Sequence, residues 1–421
     1  MAIEILKEWN PWWENRDLVK DLEGKYRPAY SDLLDSTDIK EIIIIVGVRR
    51  SGKSTLMYQI VDNLLKKGIT PEQILFVSFE DKKLSDISLD EIYSDYRENI
   101  NPSSKAYIFF DEIHRKKEWE FWIRKKYDLK TNDKFIISGS CSYLLKKEYS
   151  TLLTGRNLTF EIFPLSFKEY LAFKGMDIKG KVVLDRTKHI ILNNLKQYLT
   201  LGGFPEIFFK PERYKIKVLG QYFDDILYKD IIDRYNLNTE KAKNLALFFS
   251  TNFTTIISLR NVRNSLGLSY DAIKEYLSHF KEAFLFFAVD HFSYSFKEQK
   301  VLASKIYCID TGLRNAVSFK FSEDLGKLAE NAVLTELKRR EKDAYYWSNK
   351  GEVDFIVKNK DNSLTAINVS YTNEINERES KALLEFKKQF DKTKELIILT
   401  RDLEKKEKGI KFIPLWRWLL E

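Results

Sequence analysis

One stretch of the chain, residues 41–55, reads Glu-Ile-Ile-Ile-Ile-Val-Gly-Val-Arg-Arg-Ser-Gly-Lys-Ser-Thr. Its first six residues are a short, mostly β-branched apolar run, which is typical of a strand buried on both faces. From Lys53 to Lys67, apolar residues recur at helical spacing and predict a helix. The turn between the two has the pattern GxxxxGK[ST], which predicts a loop whose backbone amides bind phosphate groups.

The positions of this loop have distinct predicted roles. Its glycines let the backbone curl around the phosphates, and the N-terminus of the following helix adds its positive dipole end. Lys53 is expected to reach the β- and γ-phosphates of ATP, and Ser54 is expected to bind Mg²⁺. Arg49 and Arg50 are expected to anchor nearby acids or a partner rather than to act in catalysis. The predicted nucleotide-binding residues are Gly47, Val48, Arg49, Arg50, Ser51, Gly52, Lys53, Ser54 and Thr55.

A pair of carboxylates follows a second apolar strand. Residues 107–110 lead directly into Asp111 and Glu112, and the carboxyl ends of strands form the ligand-binding edge of an open α/β sheet. Asp111 is therefore predicted to bind Mg²⁺, and Glu112 is predicted to polarise a water molecule for attack on the γ-phosphate. The adjacent glutamate favours water over an alcohol as the phosphoryl acceptor.

Other polar residues are predicted near this ligand-binding edge, and each of them has two possible interpretations. A third apolar strand ends at Ser138, and the hydroxyl of Ser138 or Ser140 would either contact the γ-phosphate or form turn hydrogen bonds. Arg156 follows a glycine turn. It would act as an arginine finger, in cis or from a neighbouring subunit, or it would hold the next segment in place. The candidate catalytic residues are Lys53, Glu112, Ser138 and Arg156.

Composition narrows the class of protein. The 421 residues include 70 Lys+Arg and 62 Asp+Glu, and the net charge of +8 permits nucleic-acid binding without showing it. Cys141 and Cys308 lie far apart and the four histidines lack ligand spacing, which speaks against a disulfide framework and a zinc enzyme. No apolar run is long enough for a membrane span, and the first residues lack the apolar core of a secretory signal. We therefore expect a cytoplasmic protein without a membrane partner.

Together these motifs resemble those of the archaeal-type AAA ATPases with a GxRRxGKS loop, and the resemblance runs from about residue 40 to the end. It implies a P-loop core with an extra strand between the two Walker strands, followed by a winged helix and a restriction-endonuclease-like domain. Ile74–Phe79 is the candidate for an added or flanking strand. The matching motifs are Ile44–Thr55, Asp111–His114 with Trp119 and Trp122, Ser138–Ser140, Gly155-Arg156, Phe163–Tyr170, Leu201–Glu206 and Tyr228–Ile231.

The middle of the chain has the pattern of a DNA-binding module. Residues 258–281 have helix-turn-helix spacing, with Gly267 at the turn and Ser269 as the cap of the second helix. A hairpin-like wing is predicted at 283–296. The basic residues of this region would either meet DNA phosphates or be the solvated charges of a protein-packing module. They are Arg260, Arg263, Lys274 and Lys281.

The last segment has a degenerate PD-(D/E)XK pattern, in which adjacent strands present Asp and then Glu-x-Lys for metal-dependent phosphodiester cleavage. Glu330 and Asp354 fit their places, but Asn368 and Ser370 stand where the second carboxylate and the lysine belong. Loss of these groups removes metal affinity and a charge stabiliser. A nuclease-like fold without nuclease activity is therefore predicted.

Strands that alternate with helices predict an α/β fold with a parallel sheet and right-handed crossovers. The predicted segments are a helical and aromatic segment at 1–39, a P-loop ATPase core at 40–164, a helical lid at 165–240, a winged helix at 241–320 and the nuclease-like domain at 321–421.

The function predicted from these residues is Mg²⁺-dependent ATP hydrolysis coupled to nucleic-acid binding through the winged helix. Self-association into a homo-oligomer stays open. Two alternatives remain, a regulatory ATPase that binds protein partners and an ATP-dependent nuclease, and Asn368 and Ser370 speak against the second of these.

Overall fold

The computed structural model describes residues 2–142, 153, 155–176, 181–295, 303–318 and 324–421. The chain divides into two compact units, Met1–Ile162 and Phe163–Glu421. The division lies close to the predicted end of the ATPase core at residue 164, and the three later predicted segments share the second unit. Of the helices in the described part of the chain, none combines the length and the apolar character that a membrane span requires.

The first unit is built on a five-stranded parallel sheet, as the alternating pattern predicts. The strand order is β2-β3-β4-β1-β5, so β4 lies between β1, which precedes the phosphate loop, and β3, which ends in Asp111. The inserted strand is therefore β4, and the strand at 74–78 flanks the sheet at its edge. The strands are β1 (Ile42–Val46), β2 (Ile74–Ser78), β3 (Tyr107–Asp111), β4 (Lys134–Gly139) and β5 (Asn157–Glu161).

Burial explains why the isoleucine run forms the centre of this sheet. All five residues of β1 are buried, and Ile43 and Ile45 lie in one hydrophobic core with Leu56 and Ile60 of the next helix. Burying a side chain of this size contributes about 1.5–3 kcal/mol, so the strand and the helix fix the ends of the loop between them. The helices of this unit are Ala2–Trp9, Ser31–Asp35, Lys53–Lys66, Leu89–Asn99 and Trp119–Asp128.

The aromatic N-terminal segment covers the exposed edge of the sheet. The Asn10 side chain accepts a hydrogen bond from the Phe76 amide at 2.6 Å and donates one to the Phe76 carbonyl at 2.8 Å. The indole nitrogens of Trp12 and Trp13 donate to the Ile74 carbonyl at 3.3 and 2.9 Å. These contacts satisfy polar groups of β2 that an edge strand otherwise leaves open for another chain.

In the described residues of the second unit, the strands form two sheets. The first is three-stranded and antiparallel, in the order β6-β8-β7, and the second is six-stranded, in the order β13-β14-β12-β11-β10-β9. The strands are β6 (Ile256–Ile257), β7 (Phe286–Val289), β8 (Ser304–Cys308), β9 (Ala344–Ser348), β10 (Glu352–Lys358), β11 (Leu364–Ser370), β12 (Thr393–Thr400), β13 (Lys405–Glu407) and β14 (Ile410–Pro414).

Helices surround these sheets, and one stretch, Ile226–Ile232, is a π-helix. The helices of the second unit are Phe167–Phe173, Lys181–Leu201, Pro205–Phe208, Glu212–Asp225, Asp233–Tyr235, Thr239–Thr251, Leu259–Leu266, Tyr270–Glu282, Thr311–Val317, Leu325–Arg339, Glu377–Gln389 and Leu415–Trp418. The two helices and the turn predicted at 258–281 are confirmed, with Gly267 in the left-handed conformation after the first helix and Ser269 capping the second.

The hairpin predicted within 283–296 is wrong in its pairing. β7 pairs with β8, in the register Phe286 to Cys308, rather than with the residues that directly follow it. Those residues bond elsewhere, since the Phe292 amide donates to the Tyr346 carbonyl at 2.6 Å and His291 forms a bridge to Tyr346. Phe296, the end of the predicted hairpin, lies outside the described residues.

The Leu201–Pro205 motif has a structural explanation in the second unit. The buried carboxylate of Asp310 accepts hydrogen bonds from the Gly203 amide at 2.7 Å and the Gly312 amide at 2.8 Å. Gly202 has φ +74°, and a Cβ atom there would lie 1.9 Å from Asp310 Oδ1. Only glycine fits this close approach, and the motif connects the helices Lys181–Leu201 and Pro205–Phe208.

Candidate functional site

The phosphate loop is shaped by two glycines with positive φ. Gly47 has φ +151° and Gly52 has φ +98°. A Cβ atom at Gly47 would lie 2.1 Å from the Ile162 carbonyl oxygen, which follows β5. A side chain at Gly47 would therefore push the loop away from the neighbouring strand, and Gly52 uses a left-handed conformation that favours glycine.

Lys53 lies inside the loop that it belongs to. Its side chain is 4% exposed, and Nζ donates to the carbonyls of Gly47 at 3.1 Å and Val48 at 3.3 Å. The same ammonium group lies 3.4 Å from Oε1 of Glu112. The predicted phosphate-binding cation and the predicted base are thus in direct electrostatic contact.

Asp111 is held between two hydroxyl groups. Ser54 Oγ donates to Asp111 Oδ2 at 2.7 Å, and Ser138 Oγ donates to Asp111 Oδ1. The Glu112 amide in turn donates to Ser138 Oγ at 3.0 Å. The structure therefore brings together the two predicted Mg²⁺ ligands, Ser54 and Asp111, and Ser138 aligns both Asp111, at the end of β3, and Glu112, which follows it.

Glu112 is held in a strained position. Its φ is +53°, which is uncommon for a residue with a side chain. Its Oε2 atom accepts a hydrogen bond from the Ser140 amide at 3.1 Å and lies 3.3 Å from Nδ1 of His114. A rigidly held carboxylate at the end of β3 can act as a general base once a water molecule is within reach.

The two neighbouring carboxyl groups differ in acidity. Burial raises the pKa of Asp111, and the adjacent Glu112 charge raises it further. Burial alone would also raise the pKa of Glu112, but Lys53, His114 and Arg49 together hold it well below its usual value. Glu112 is therefore ionised at neutral pH, as a proton acceptor must be.

Two hydroxyl groups at the loop fit a phosphate ligand. Ser51 Oγ and Ser140 Oγ are buried, and neither has a hydrogen-bond partner within the described part of the chain. Buried polar groups are seldom left without a partner, so such atoms indicate a place for a polar ligand. Ser138 is already bonded to Asp111, which leaves Ser140 as the better candidate for contact with a γ-phosphate.

The structure places Arg156 beside the amino end of β1, at the opposite end of the strands from the phosphate loop. The Ile42 amide, at the start of β1, donates to the Arg156 carbonyl at 2.8 Å, whereas the phosphate loop follows the other end of β1. A strand of five residues is about 16 Å long, and this length of β1 separates the Arg156 backbone from the phosphate loop. Arg156 Nε donates to Asp128 at 2.9 Å. The predicted cis arginine finger is therefore wrong, and a role in a neighbouring subunit stays a prediction.

The two arginines of the phosphate loop have different environments. Arg49 forms an ion pair with Glu80 at 2.7 Å, which confirms its expected anchoring of a nearby acid. Arg50 is exposed and has φ +66°.

A second group of buried charges lies in the last 120 residues, around the predicted degenerate nuclease site. Nζ of Lys305, on β8, lies 3.1 Å from Glu330, 3.0 Å from Asp354 and 2.5 Å from Glu352. Its side chain is 1% exposed. Glu330 and Asp354 do meet, as predicted, and a lysine that sequence analysis missed donates hydrogen bonds to both. A lone lysine within the buried strand Ser304–Cys308 was the available signal.

The substituted positions of this site have different environments. Asn368 is fully buried, accepts a hydrogen bond from the Asp354 amide at 3.1 Å and donates to Glu379 at 2.8 Å. Ser370 is half-buried at the end of β11. In the described ranges, no cluster of three or more His, Cys, Asp or Glu side chains is arranged to hold a metal ion.

Comparison with known proteins identifies the parts of the chain. Residues 39–171 match the family described as AAA domain, and residues 192–324 and 325–418 match two domains of unknown function, DUF8612 and DUF4143. The uncharacterized protein MJ1544 of Methanocaldococcus jannaschii is 35% identical over 404 residues, covering 90% of this chain and 88% of that protein. The chain belongs to the family of that protein.

An uncharacterized protein of Haemophilus influenzae is also similar to this chain. It is 31% identical over 400 residues, covering 92% of this chain and 96% of its own. Among solved structures, AMPPCP-bound DnaA from Aquifex aeolicus matches with a TM-score of 0.27 and 12% identity, over 63% of this chain and 86% of that one. That likeness is too distant to support an argument about function. The family match shows that the first unit contains an AAA-type P-loop ATPase domain.

Removal of the buried lysine tests the second charge cluster. We expect Lys305→Met to lower the free energy of unfolding by about 3–5 kcal/mol, because it leaves the largely buried carboxyl groups of Glu330 and Asp354 without their cation. Adding Glu330→Gln and Asp354→Asn to that variant should restore part of this stability. Chemical denaturation monitored by circular dichroism measures both changes, with Lys406→Ala on exposed β13 as the control. An unchanged midpoint for Lys305→Met would show that the cluster does not stabilise the fold.

Proposed function

We propose that the first unit binds ATP with Mg²⁺ and hydrolyses the γ-phosphate, and that the second unit couples this reaction to nucleic-acid binding. The observation that carries the first part is the meeting of Lys53, Ser54, Asp111 and Glu112 at the ends of β1 and β3. Ser138 on β4 aligns the two carboxylate residues. Cation, hydroxyl and carboxylates in this order suit phosphoryl transfer to water.

The proposed division of labour follows from the contacts. Bound Mg²⁺ would be held by Ser54 and Asp111 and would supply the charge that neutralises the phosphate oxygens. Lys53 adds a cation inside the loop, and the Ser140 hydroxyl offers a hydrogen bond near the γ-phosphate position. Glu112 accepts the proton of the attacking water, and its contacts with the Ser140 amide and His114 hold the carboxylate in place.

The substitution Glu112→Gln tests this assignment. The amide cannot accept the proton, so we expect ATP affinity to be retained while turnover falls about 100-fold. Lys53→Ala should instead abolish detectable ATP binding. Titration calorimetry and phosphate release measure the two effects, and Glu98→Gln, on the exposed face of the helix Leu89–Asn99, is the matched control. Normal turnover of Glu112→Gln would place the base elsewhere.

The arrangement of elements at 239–308 supports a winged helix as the nucleic-acid module. The order is a helix, β6, two helices, then β7 and β8, and the sheet order is β6-β8-β7. The basic residues predicted to meet phosphates are all exposed, and they are Arg260, Arg263, Lys274 and Lys281. Exposed cations on a helix pair of this kind are suited to backbone phosphates.

A protein partner is the second proposal for this module. The helix Tyr270–Glu282, which would enter the major groove, also exposes Asp271 and Glu275 beside Lys274 and Lys281. Acidic side chains on that face repel phosphates, so mixed charge favours a polar protein surface.

For the last 100 residues we propose a nuclease-like fold without nuclease activity, because Asn368 lacks a carboxylate and Lys305 occupies the space between Glu330 and Asp354.

A salt titration separates the two partners. If the module binds DNA, affinity in a gel-shift assay should fall steeply with salt. Arg260→Ala with Arg263→Ala should reduce the slope by about one for each phosphate that the variant no longer neutralises. Lys406→Ala should leave the slope unchanged. Absence of binding to single- and double-stranded DNA and RNA at low salt would reject the nucleic-acid proposal and favour the protein partner.

A further inference from the structure

A segment that no family match includes lies against the phosphate loop. The AAA domain match begins at residue 39, yet the segment Glu23–Tyr30 is fixed to the helix that follows the loop. Gln59 Nε2, on that helix, donates to the Glu23 carbonyl at 2.8 Å and to the Lys25 carbonyl at 3.1 Å. The position of this segment is therefore set by the same helix that carries Lys53 and Ser54.

Arg27 connects this segment to the loop itself. It is 2% exposed, and its NH1 group donates to the Ser51 carbonyl at 2.8 Å. The guanidinium carbon lies 4.7 Å from the centre of the Tyr30 ring, in the geometry of a cation–π contact. A planar cation that is held by a ring and bonded to a loop carbonyl is a fixed support rather than a mobile surface charge.

The Ser51 carbonyl controls the direction of an amide in the phosphate-binding motif. The carbonyl of Ser51 and the N–H of Gly52 belong to one planar trans peptide group, so they point in opposite directions. Gly52 has φ +98°, and glycine permits backbone rotations that other residues resist. A donor on the Ser51 carbonyl therefore restrains the peptide group next to Gly52, which the glycine would otherwise leave free to turn.

Lys53 acts in the same way on the other side of the loop. It bonds the carbonyls of Gly47 and Val48, which fixes the peptide groups that carry the N–H of Val48 and Arg49. Lys53 belongs to the GxxxxGKS motif, whereas Arg27 lies 24 residues before the Ser51 carbonyl that it contacts. Two cations thus orient three peptide groups of the loop, and one of the two comes from outside the motif.

We propose that Arg27 is a positioning residue of the ATP site, which orients the Gly52 amide toward the phosphates by holding the Ser51 carbonyl. This inference rests on the proposed ATP binding at the loop. It makes the segment Glu23–Tyr30 part of the nucleotide site, although Arg27 itself touches the loop and not the reacting atoms.

The test compares Arg27→Ala, Arg27→Lys and the control Lys20→Ala in the full chain, with Mg²⁺ and ATP. We expect the dissociation constant and the KM for ATP to rise about tenfold or more in Arg27→Ala, because the variant lacks a hydrogen bond from a charged group. The kcat at saturating ATP should change far less. Arg27→Lys should lie between Arg27→Ala and the wild type, and Lys20→Ala, an exposed residue paired with Asp17, should match the wild type.

Guanidinium ion distinguishes positioning from a general loss of structure. Low, non-denaturing concentrations should restore part of the ATP affinity of Arg27→Ala, and sodium chloride at equal ionic strength should not. Unchanged affinity in Arg27→Ala overturns the proposal, and so does a weakened affinity that accompanies a lowered Tm and that neither guanidinium nor Arg27→Lys relieves. If the wild-type chain itself binds no ATP, the proposed function fails and this inference fails with it.

Discussion

The carboxylate of Asp111, bonded to the hydroxyls of Ser54 and Ser138, is the contact on which the rest of the first unit depends. It ties the helix after the phosphate loop to β3 and β4 at the point where both strands end. A buried carboxylate needs such partners, since leaving it without hydrogen bonds in a low-dielectric interior is costly. The position of β4 between β1 and β3 is what brings a β4 hydroxyl into reach.

The backbone around this contact is correspondingly constrained. Glu112 adopts a left-handed conformation, and Gly47 leaves no room for a side chain beside the Ile162 carbonyl. Such strain persists only where the surrounding structure fixes it, and it is concentrated at functional sites. The apolar residues of β1 and the helix Lys53–Lys66 provide that support, because they pack into one core directly below the loop.

The two units use a buried lysine among carboxylates in different ways. Lys53 has one carboxylate neighbour, Glu112, and its other partners are loop carbonyls. Lys305 has three carboxylate neighbours and a hydroxyl-bearing ring nearby, since Tyr307 donates to Glu330 at 2.7 Å. The first arrangement leaves the cation able to meet an additional anion. In the second arrangement the carboxylates outnumber the single cation, and Lys305 is committed to contacts within the protein, which agrees with a structural role for that lysine.

Local sequence patterns were enough to predict the elements of the first unit. The isoleucine run, the GxxxxGKS loop and Asp111-Glu112 can each be recognised from a few consecutive residues. Arg156 was misplaced because the prediction ignored the direction of β5. A residue that precedes a parallel strand lies at the amino edge, away from the ligands. The sequence did not predict the roles of Lys305 and Arg27 or the strand that pairs with β7. Each depends on contacts between residues far apart in sequence, which no local spacing encodes.

We propose that this chain transfers the γ-phosphoryl group of ATP to water at the ends of β1, β3 and β4. Phosphate release from ATP in ¹⁸O-labelled water measures this transfer. We expect Mg²⁺-dependent release of inorganic phosphate that carries an oxygen from the labelled water. Release of unlabelled phosphate, transfer to another acceptor, or no cleavage with any nucleic acid present would show that the chain does not carry out this reaction.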